Sequence, residues 1–261
     1  MPRFSANLTM MFTEHEFLDR FAAARAAGFD AVEFLFPYDH PAAAIATALQ
    51  DHSLAVSIFN TAPGDWQAGE RGFGCRPDHR DRFRASIEMA VRYAGATGAR
   101  QCHVLAGNPG ETSPDVARAA FVENLRHAAD TFADIGLAGL IEPLNRQDMP
   151  GYFLNSLPLA VDILREVDRP NIGLQFDIYH QTMMGDDVAR GLEEHLPLIR
   201  HVQIAGVPDR HEPDIGGLDY VSTLEKLDAL GYQGWVGCEY RPRAGTLEGL
   251  GWLRNWQPGP G

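Results

Sequence analysis

The sequence predicts a single (β/α)8 barrel, and three observations carry that prediction. Short runs rich in β-branched and aromatic residues alternate with longer Ala-, Leu- and Arg-rich segments, which is typical of βαβ units and a parallel sheet. The length of 261 residues suits a barrel of this kind. Because no Pro-, Gly- or Ser-rich linker divides the chain, we expect one barrel over residues 1–256 and a flexible Pro- and Gly-rich tail over residues 257–261.

The predicted strands are short apolar runs, each followed by a polar residue or a turn. They are Phe4–Leu8, Ala31–Phe36, Ala55–Asn60, Gln101–Ala106, Ala138–Glu142, Ile172–Asp177, His201–Ala205 and Trp235–Glu239. A doubly wound sheet is the main rival architecture, but Leu8-Thr9-Met10-Met11-Phe12 replaces the Gly-rich phosphate turn that such a sheet usually carries after its first strand. A P-loop motif is also missing from the sequence.

The predicted helices are recognised by their capping residues. Gly residues follow three of them and Pro170 follows a fourth, while Ser113-Pro114 is a typical helix start. The helices are Glu14–Ala27, Asp81–Ala96, Pro114–Asp134, Ser156–Val167 and Tyr220–Leu230. The irregular, Gly-rich stretch Thr61–His79 is too long for an ordinary connection, so we expect a lid or a binding loop there.

Composition narrows the classes of function. A net charge of −13 disfavours nucleic acid, because binding phosphates requires a basic surface. No apolar run approaches the length of a membrane span, and the first residues lack the apolar core of a signal peptide. Three widely spaced cysteines indicate a reduced protein. We therefore expect a cytoplasmic protein that binds a small molecule and neither nucleic acid nor a membrane.

Polar side chains close the last four predicted strands: Glu142, Asp177, Gln203 and Glu239. In a barrel the carboxyl ends of the strands meet at one mouth, where active sites lie. Three carboxylates brought together there would repel one another unless a cation lay between them. Because the set offers only oxygen ligands, it suits Mg²⁺ or Mn²⁺ better than Zn²⁺. Gln203 is the weakest candidate ligand, since its amide could hydrogen-bond substrate instead.

Several motifs carry a resemblance to a known family. They are Glu142-Pro143-Leu144-Asn145, Asp177-Ile178-Tyr179-His180, His201-Val202-Gln203-Ile204-Ala205, Gly234-Trp235-Val236-Gly237-Cys238-Glu239-Tyr240, Gly28-Phe29-Asp30-Ala31-Val32-Glu33, Asn60-Thr61-Ala62-Pro63-Gly64-Asp65-Trp66 and Gly69-Glu70-Arg71-Gly72. Together they resemble the hydroxypyruvate isomerase family, which belongs to the xylose-isomerase-like barrels. The resemblance implies a divalent metal bound by Glu142, Asp177, Gln203 and Glu239, with Glu142 and Glu239 as the acid/base pair. The family's barrels often associate, which leaves a homo-oligomer open.

The implied reaction is an aldose–ketose type isomerisation of a small hydroxy-oxo acid. We expect hydroxypyruvate to become tartronate semialdehyde through a cis-enediolate, with a metal stabilising the charge on oxygen. A four-carbon acid, 2-oxo-tetronate, stays open as the alternative substrate. A barrel that binds sugar acids without catalysis is the alternative from another class, although binding alone does not need two carboxylates placed for proton transfer. Sugar epimerisation and endonuclease activity are disfavoured, the latter by the charge.

The remaining candidates are side chains expected to contact substrate. His180 could donate to a substrate oxygen or orient a metal ligand, and His103 and Glu33 could each be functional or purely structural. A substrate carboxylate needs a cation, and Arg71 in the long loop is favoured over Arg146, Arg210 and Arg241. Trp66 and Phe73 could shield the site. His201 is expected to be buried and structural.

Overall fold

The computed structural model describes residues 1–256, so the predicted tail at 257–261 lies outside the described residues. Eight parallel strands close into a barrel in chain order, which confirms the predicted fold class. The strands are β1 (Arg3–Asn7), β2 (Ala31–Phe34), β3 (Ala55–Asn60), β4 (Gln101–His103), β5 (Ala138–Ile141), β6 (Ile172–Asp177), β7 (Ile199–Ile204) and β8 (Trp235–Cys238).

Helices surround the barrel and carry the chain back between successive strands. They are α1 (Arg20–Ala26), α2 (Ala42–Asp51), α3 (Arg80–Thr97), α4 (Pro114–Ala133), α5 (Leu157–Val167), α6 (Ile178–Met183), α7 (Val188–His195), α8 (Tyr220–Ala229) and α9 (Thr246–Gly249). Four 3₁₀ segments complete the described elements: Phe17–Asp19, Pro37–Asp39, Pro77–His79 and Leu250–Trp256.

Helix α4 shows how the sequence builds this outer layer. Ser113 takes the extended N-cap conformation and Pro114 opens the helix, as predicted. Phe121, Leu125 and Phe132 repeat at helical spacing and are fully buried in the core. Helix α3 ends as predicted at Gly98, whose φ of 75° is the left-handed conformation that glycine adopts without strain.

Three details differ from the sequence-based expectations. The strand predicted to run to Ala106 ends at His103, because the backbone beyond it bonds to the long loop: Cys75 N donates to Ala106 O over 2.7 Å. The helix predicted from Glu14 begins with a 3₁₀ turn at Phe17, since Glu16 is extended. Helices α2, α6, α7 and α9 lie outside the five predicted helices.

The register of the last strands positions the polar residues at one end of the barrel. Asp177 pairs with Gln203 across β6 and β7, so their side chains lie side by side on the inner face. Glu142 and Glu239 come directly after β5 and β8. The segment around Phe73 packs against this end, where Gly74 N donates to Leu105 O and Asn124 Nδ2 donates to Gly74 O. The long loop is therefore a packed part of the barrel mouth.

Candidate active site

A cavity of about 300 Å³ opens at the carboxyl end of the strands, where the sequence places the site. Its walls include these polar side chains: Asn60, Arg71, His103, Glu142, Asp148, His180, Arg210, Glu239 and Arg241. Its apolar wall is formed by Met10, Leu35, Phe36, Trp66, Leu105, Leu144 and Met149. A small, half-enclosed cavity with convergent charged groups is typical of a small-molecule site.

Two of the predicted metal ligands lie close together beside this cavity: Glu142 lines it, whereas Asp177 is fully buried and is not among the lining residues. Glu142, Asp177 and His180 each offer one ligand atom, and the three atoms lie within 4.8 Å of one another. Glu142 Oε1 and Asp177 Oδ2 are buried and have no hydrogen-bond partner among the described residues. Buried carboxylate oxygens without a partner are costly, so this pair fits a divalent cation.

His180 belongs to this cluster, and only its Nδ1 is engaged in hydrogen bonds with the protein. The main-chain N–H of Asn145 donates to His180 Nδ1 over 3.2 Å, so Nδ1 is the acceptor and Nε2 carries the proton in the neutral ring. Burial lowers the pKa of His180, which keeps the ring neutral. Nε2 lies 3.6 Å from Asp177 Oδ2. The ring is therefore placed to donate into the cavity rather than to bind a metal.

Three carboxyl groups of the site have raised pKa values. Burial, followed by the charges of Glu239 and Asp177, raises the pKa of Glu142 well above its usual range. Burial raises the pKa of Asp177 to about 6 against the opposing effect of Arg210. Burial likewise raises the pKa of Glu239 to about 8. In each group the protonated form is therefore favoured over the ionised form unless a cation lies nearby. Such shifted pKa values are common at functional sites.

Arg210 supplies positive charge from within the chain. Its Nη2 lies 2.7 Å from Glu239 Oε2 and 3.5 Å from Asp177 Oδ2. The guanidinium also stacks 4.9 Å above the Tyr179 ring. Arg210 holds a φ of 57°, a left-handed conformation that is uncommon for a non-glycine residue. Predicted as a substrate contact, Arg210 lines the cavity and, in this structure, pairs with the carboxylates.

Gln203 lies beside Asp177 with both ends of its amide engaged. Its Nε2 donates to Glu33 Oε1 over 2.8 Å, and its Oε1 accepts from Gln175 Nε2 over 2.6 Å. Glu33 is fully buried within the barrel and also accepts from His201 Nε2 over 2.9 Å. Although burial acts to raise the pKa of Glu33, His201 and the hydrogen bonds outweigh it and the pKa is lowered.

Glu33 is not among the residues that line the cavity. Of the two roles expected for it, substrate contact and structural hydrogen bonding, the structure favours the second. His201 is buried against it, as expected.

His103 faces Glu142 from β4. Its Nδ1 lies 3.4 Å from Glu142 Oε2, and burial lowers its pKa to about 3, so the ring is neutral. Neither ring nitrogen has a hydrogen-bond partner within residues 1–256. A neutral, unsatisfied imidazole in the cavity wall is available to a ligand.

The long loop places Arg71 and Trp66 at the cavity, as predicted. Arg71 Nη1 donates to the carbonyls of Trp66 and Glu70 over 2.8 and 2.7 Å, and the guanidinium stacks 3.8 Å from the Trp66 ring. Its orientation is therefore set before any ligand binds. Phe73, for which shielding of the site was one expectation, is buried and is not among the residues that line the cavity.

Arg241, like Arg71, lines the cavity, and its side chain is exposed. Arg146 points elsewhere and donates to Asn155.

Sequence reasoning missed the residues that support these groups. Asp148 lines the cavity and accepts from the Tyr179 hydroxyl over 2.8 Å, while Asn145 holds His180. Asn145 stands in the quoted motif after β5, so its position was a usable signal. Gln175, two residues before Asp177 on the same strand face, also had the inward parity.

Comparison with known proteins gives a consistent set of matches. A family model described as xylose isomerase-like TIM barrel matches residues 21–256. The 2-oxo-tetronate isomerase of Cupriavidus necator is 52% identical over 98% of this chain and 99% of its own. The hydroxypyruvate isomerase of Escherichia coli is 39% identical over 97% of this chain and 98% of its own.

A solved structure is also very similar. The crystal structure of an AP endonuclease, family 2, from Brucella melitensis matches with a TM-score of 0.97 and 45% identity, over 99% of this chain and 100% of that one. Among the described residues, none of the helices is long and apolar enough to cross a membrane.

Proposed function

We propose that this chain, which belongs to the xylose isomerase-like TIM barrel family, isomerises a small 2-oxo acid with the help of a divalent cation. That it is an isomerase follows from full-length relatives that carry isomerase names. The observation that carries the proposal is the pair Glu142 and Glu239, which are buried and line one small cavity that also holds cationic side chains.

The donor set supports a bound metal ion. Glu142 and Asp177 offer buried oxygens without a hydrogen-bond partner among the described residues, and Gln203 and Glu239 complete the all-oxygen set that Mg²⁺ or Mn²⁺ prefers. In the proposed holoenzyme these four residues hold the ion. Such an ion offsets the negative charge that develops on substrate oxygens when a proton leaves the carbon next to a carbonyl.

Glu142 and Glu239 then carry the proton transfer. One carboxylate removes the proton from C3 of the substrate, which leaves an enediolate over C2 and C3. A proton is then delivered to C2, and the hydroxyl proton passes from the C3 oxygen to the C2 oxygen, so the C2 carbonyl becomes a hydroxyl-bearing carbon and the C3 hydroxyl becomes a carbonyl. Both groups line the cavity, and burial favours their protonated forms in the metal-free protein. A bound cation would favour ionisation, so that one group can act as the base and the other as the acid.

Arg71 and His180 bind the substrate in this proposal. The Arg71 guanidinium, which is held in place by its contacts with Trp66, offers a charged partner for the substrate carboxylate. Nε2 of His180 carries a proton and can donate to a substrate oxygen at the cavity floor. The neutral state of His180 matters, because a second positive charge beside Arg210 would compete with a metal ion for the carboxylates.

The substrate that we propose first is 2-oxo-tetronate, the four-carbon acid that stays open from the sequence. The relative with 52% identity over nearly the whole chain carries that name. Hydroxypyruvate is the second candidate, favoured by the name of the Escherichia coli relative. Both substrates undergo the same exchange between C2 and C3, and they differ only in the group attached to C3.

The name of the Brucella protein points to DNA cleavage, but charge argues against that activity here. The net charge of −13 repels a polyanion, whereas the positive charge of the described site lies around a cavity of small-molecule size. We therefore propose the isomerase alone.

A substrate panel tests the proposal. Purified protein with Mg²⁺ or Mn²⁺ is given hydroxypyruvate and 2-oxo-tetronate in D₂O, and products and deuterium content are followed by NMR. We expect the isomer of the four-carbon acid to form fastest, with solvent deuterium at the reacting carbons. A protein that binds either acid without exchanging its protons would be a binding module, and the proposal would be wrong.

A further inference from the structure

A buried hydrogen-bond network surrounds Glu33 at the centre of the barrel. Its Oε1 accepts from Asn7 Nδ2 over 3.1 Å and from Gln203 Nε2 over 2.8 Å. Its Oε2 accepts from Ser5 Oγ over 3.0 Å and from His201 Nε2 over 2.9 Å. Ser57 Oγ donates to the same Oε2 over 3.2 Å, so donors from β1, β3 and β7 converge on a carboxylate carried by β2.

Strand β8 closes around the same carboxylate. A Cβ atom on Gly237 would overlap both carboxylate oxygens of Glu33. This close approach explains why a residue without a side chain stands two positions before Glu239. Glu33 is therefore held rigidly in one place by its hydrogen bonds and by the backbone of β8.

The second partner of Gln203 cannot set the direction of its amide. Gln175 donates to Gln203 Oε1 over 2.6 Å, but its own Oε1 has no partner among the described residues. If both amides turned over, Gln203 Nε2 would donate to Gln175 Oε1 instead. The two arrangements of this amide pair are equivalent, because each amide carries one donor end and one acceptor end.

Glu33 removes that equivalence. An ionised carboxylate only accepts hydrogen bonds, so the NH₂ end of Gln203 must face Glu33 and the carbonyl oxygen must face away from it. The carbonyl oxygen has two lone pairs, and Gln175 uses one of them. The other remains for a cation bound next to Asp177, which pairs with Gln203 in register.

From this geometry we infer that Glu33 is a positioning residue, which orients the Gln203 amide so that its oxygen, and not its NH₂ group, is presented to the metal ion. The inference rests on the proposed function, since it assigns Gln203 to the metal. An amide is the weakest ligand type in the set, and in the reversed orientation it would direct its NH₂ group at the cation. Fixing the orientation therefore ensures that Gln203 can bind the metal ion.

Direct measurement of Mn²⁺ affinity tests the inference, using titration calorimetry or the electron paramagnetic resonance signal of free Mn²⁺ on the full chain. In Glu33→Gln, the new amide can donate to or accept from Gln203, so the orientation is no longer set. We expect Mn²⁺ binding to weaken about 10- to 100-fold. Saturating Mn²⁺ should restore most of kcat.

Ser5→Ala is the matched control, because it removes one hydrogen bond to Glu33 and leaves Gln203 unchanged. Its Mn²⁺ affinity should stay within about 3-fold of wild type.

A charge exchange, in which the carboxylate is moved from position 33 to position 203, should restore Mn²⁺ binding. In the double variant Glu33→Gln, Gln203→Glu, the carboxylate at 203 presents an oxygen whichever way it turns, and we expect Mn²⁺ affinity to return to within about 3-fold of wild type. Gln175→Met, which leaves Glu33 in place, should also bind Mn²⁺ normally. This variant keeps the inference testable if Glu33→Gln fails to fold.

Two results would overturn the inference alone: normal Mn²⁺ binding by folded Glu33→Gln, or a large loss of binding in Gln175→Met. A wild-type protein that binds no Mn²⁺ would overturn the proposed metal site itself, and the inference with it. A general loss of stability would lower affinity in Ser5→Ala as well and would leave the charge exchange without effect, which separates positioning from folding.

Discussion

Because the carboxyl group of Glu239 is buried, we predict an unusual pH dependence of stability in the metal-free protein. Burial raises its pKa from 4.5 to about 8. A carboxyl group whose pKa is higher in the folded state binds its proton more tightly there. The stabilisation is therefore complete below about pH 4.5 and is lost as pH rises through about 8. Glu239→Gln, which is neutral at every pH, should lack this loss.

The size of the effect follows from the pKa values. At about 1.4 kcal/mol per pKa unit, a rise from 4.5 to about 8 corresponds to an upper limit of ~5 kcal/mol. This is a large part of the 5–15 kcal/mol that typically separates folded from unfolded proteins. The pairing of Glu239 with Arg210 is already included in that pKa, because Arg210 acts to lower it.

Urea unfolding in the presence of a chelator, at about pH 5 and about pH 9, measures the effect. Between these values the free energy of unfolding of the wild type should fall by up to ~4 kcal/mol more than that of Glu239→Gln, because pH 5 already lies above the unfolded pKa of 4.5. Glu248→Gln, a change at an exposed glutamate, serves as control and should follow the wild type. Parallel pH profiles for wild type and Glu239→Gln would refute the electrostatic account of the site.

Three further predictions concern the same cavity. Glu142→Gln should fold and yet lower turnover by about 10²- to 10⁴-fold, because it removes one proton carrier; near-normal turnover in steady-state assays would exclude Glu142 from the chemistry. Arg71→Ala should raise KM for acid substrates about 10- to 100-fold, the loss of a charge-assisted hydrogen bond, with much less effect on neutral hydroxy-ketones; equal effects on both would argue against a carboxylate anchor. Mn²⁺ affinity should rise with pH up to about 8, because a metal ion must displace the protons that the raised pKa values of Asp177 and Glu239 retain; calorimetric titration at several pH values would show a flat profile if those groups were not ligands.

The barrel was predictable because its signals are local. Strands β3 and β6 have the predicted bounds, since each is an apolar run closed by Asn60 or Asp177. The alternation of strands and helices then fixes which end of the barrel holds the polar residues. Boundaries failed where tertiary contacts decide them, as at Leu105 and Ala106, whose backbone bonds to the long loop and to Tyr152.

The sequence predicted which residues form the candidate site better than it predicted the hydrogen bonds and ion pairs between them. Position after a strand was enough to bring Glu142, Asp177 and Glu239 to one mouth. The hydrogen bond between Gln203 and Glu33 spans 170 positions in the sequence, so no local pattern could assign it. The same holds for the ion pair of Arg210 with Glu239, which depends on a left-handed backbone conformation within a loop.

Crystals of the protein soaked with Mn²⁺ and measured by anomalous diffraction test the central claim most directly. We predict one strong anomalous peak at the floor of the cavity, with oxygen atoms of Glu142, Asp177, Gln203 and Glu239 as its protein ligands and with Arg210 moved away from Glu239. A fully bound Mn²⁺ elsewhere on the protein, or none at all under conditions where the enzyme is active, would contradict the claim that these residues form one metal centre.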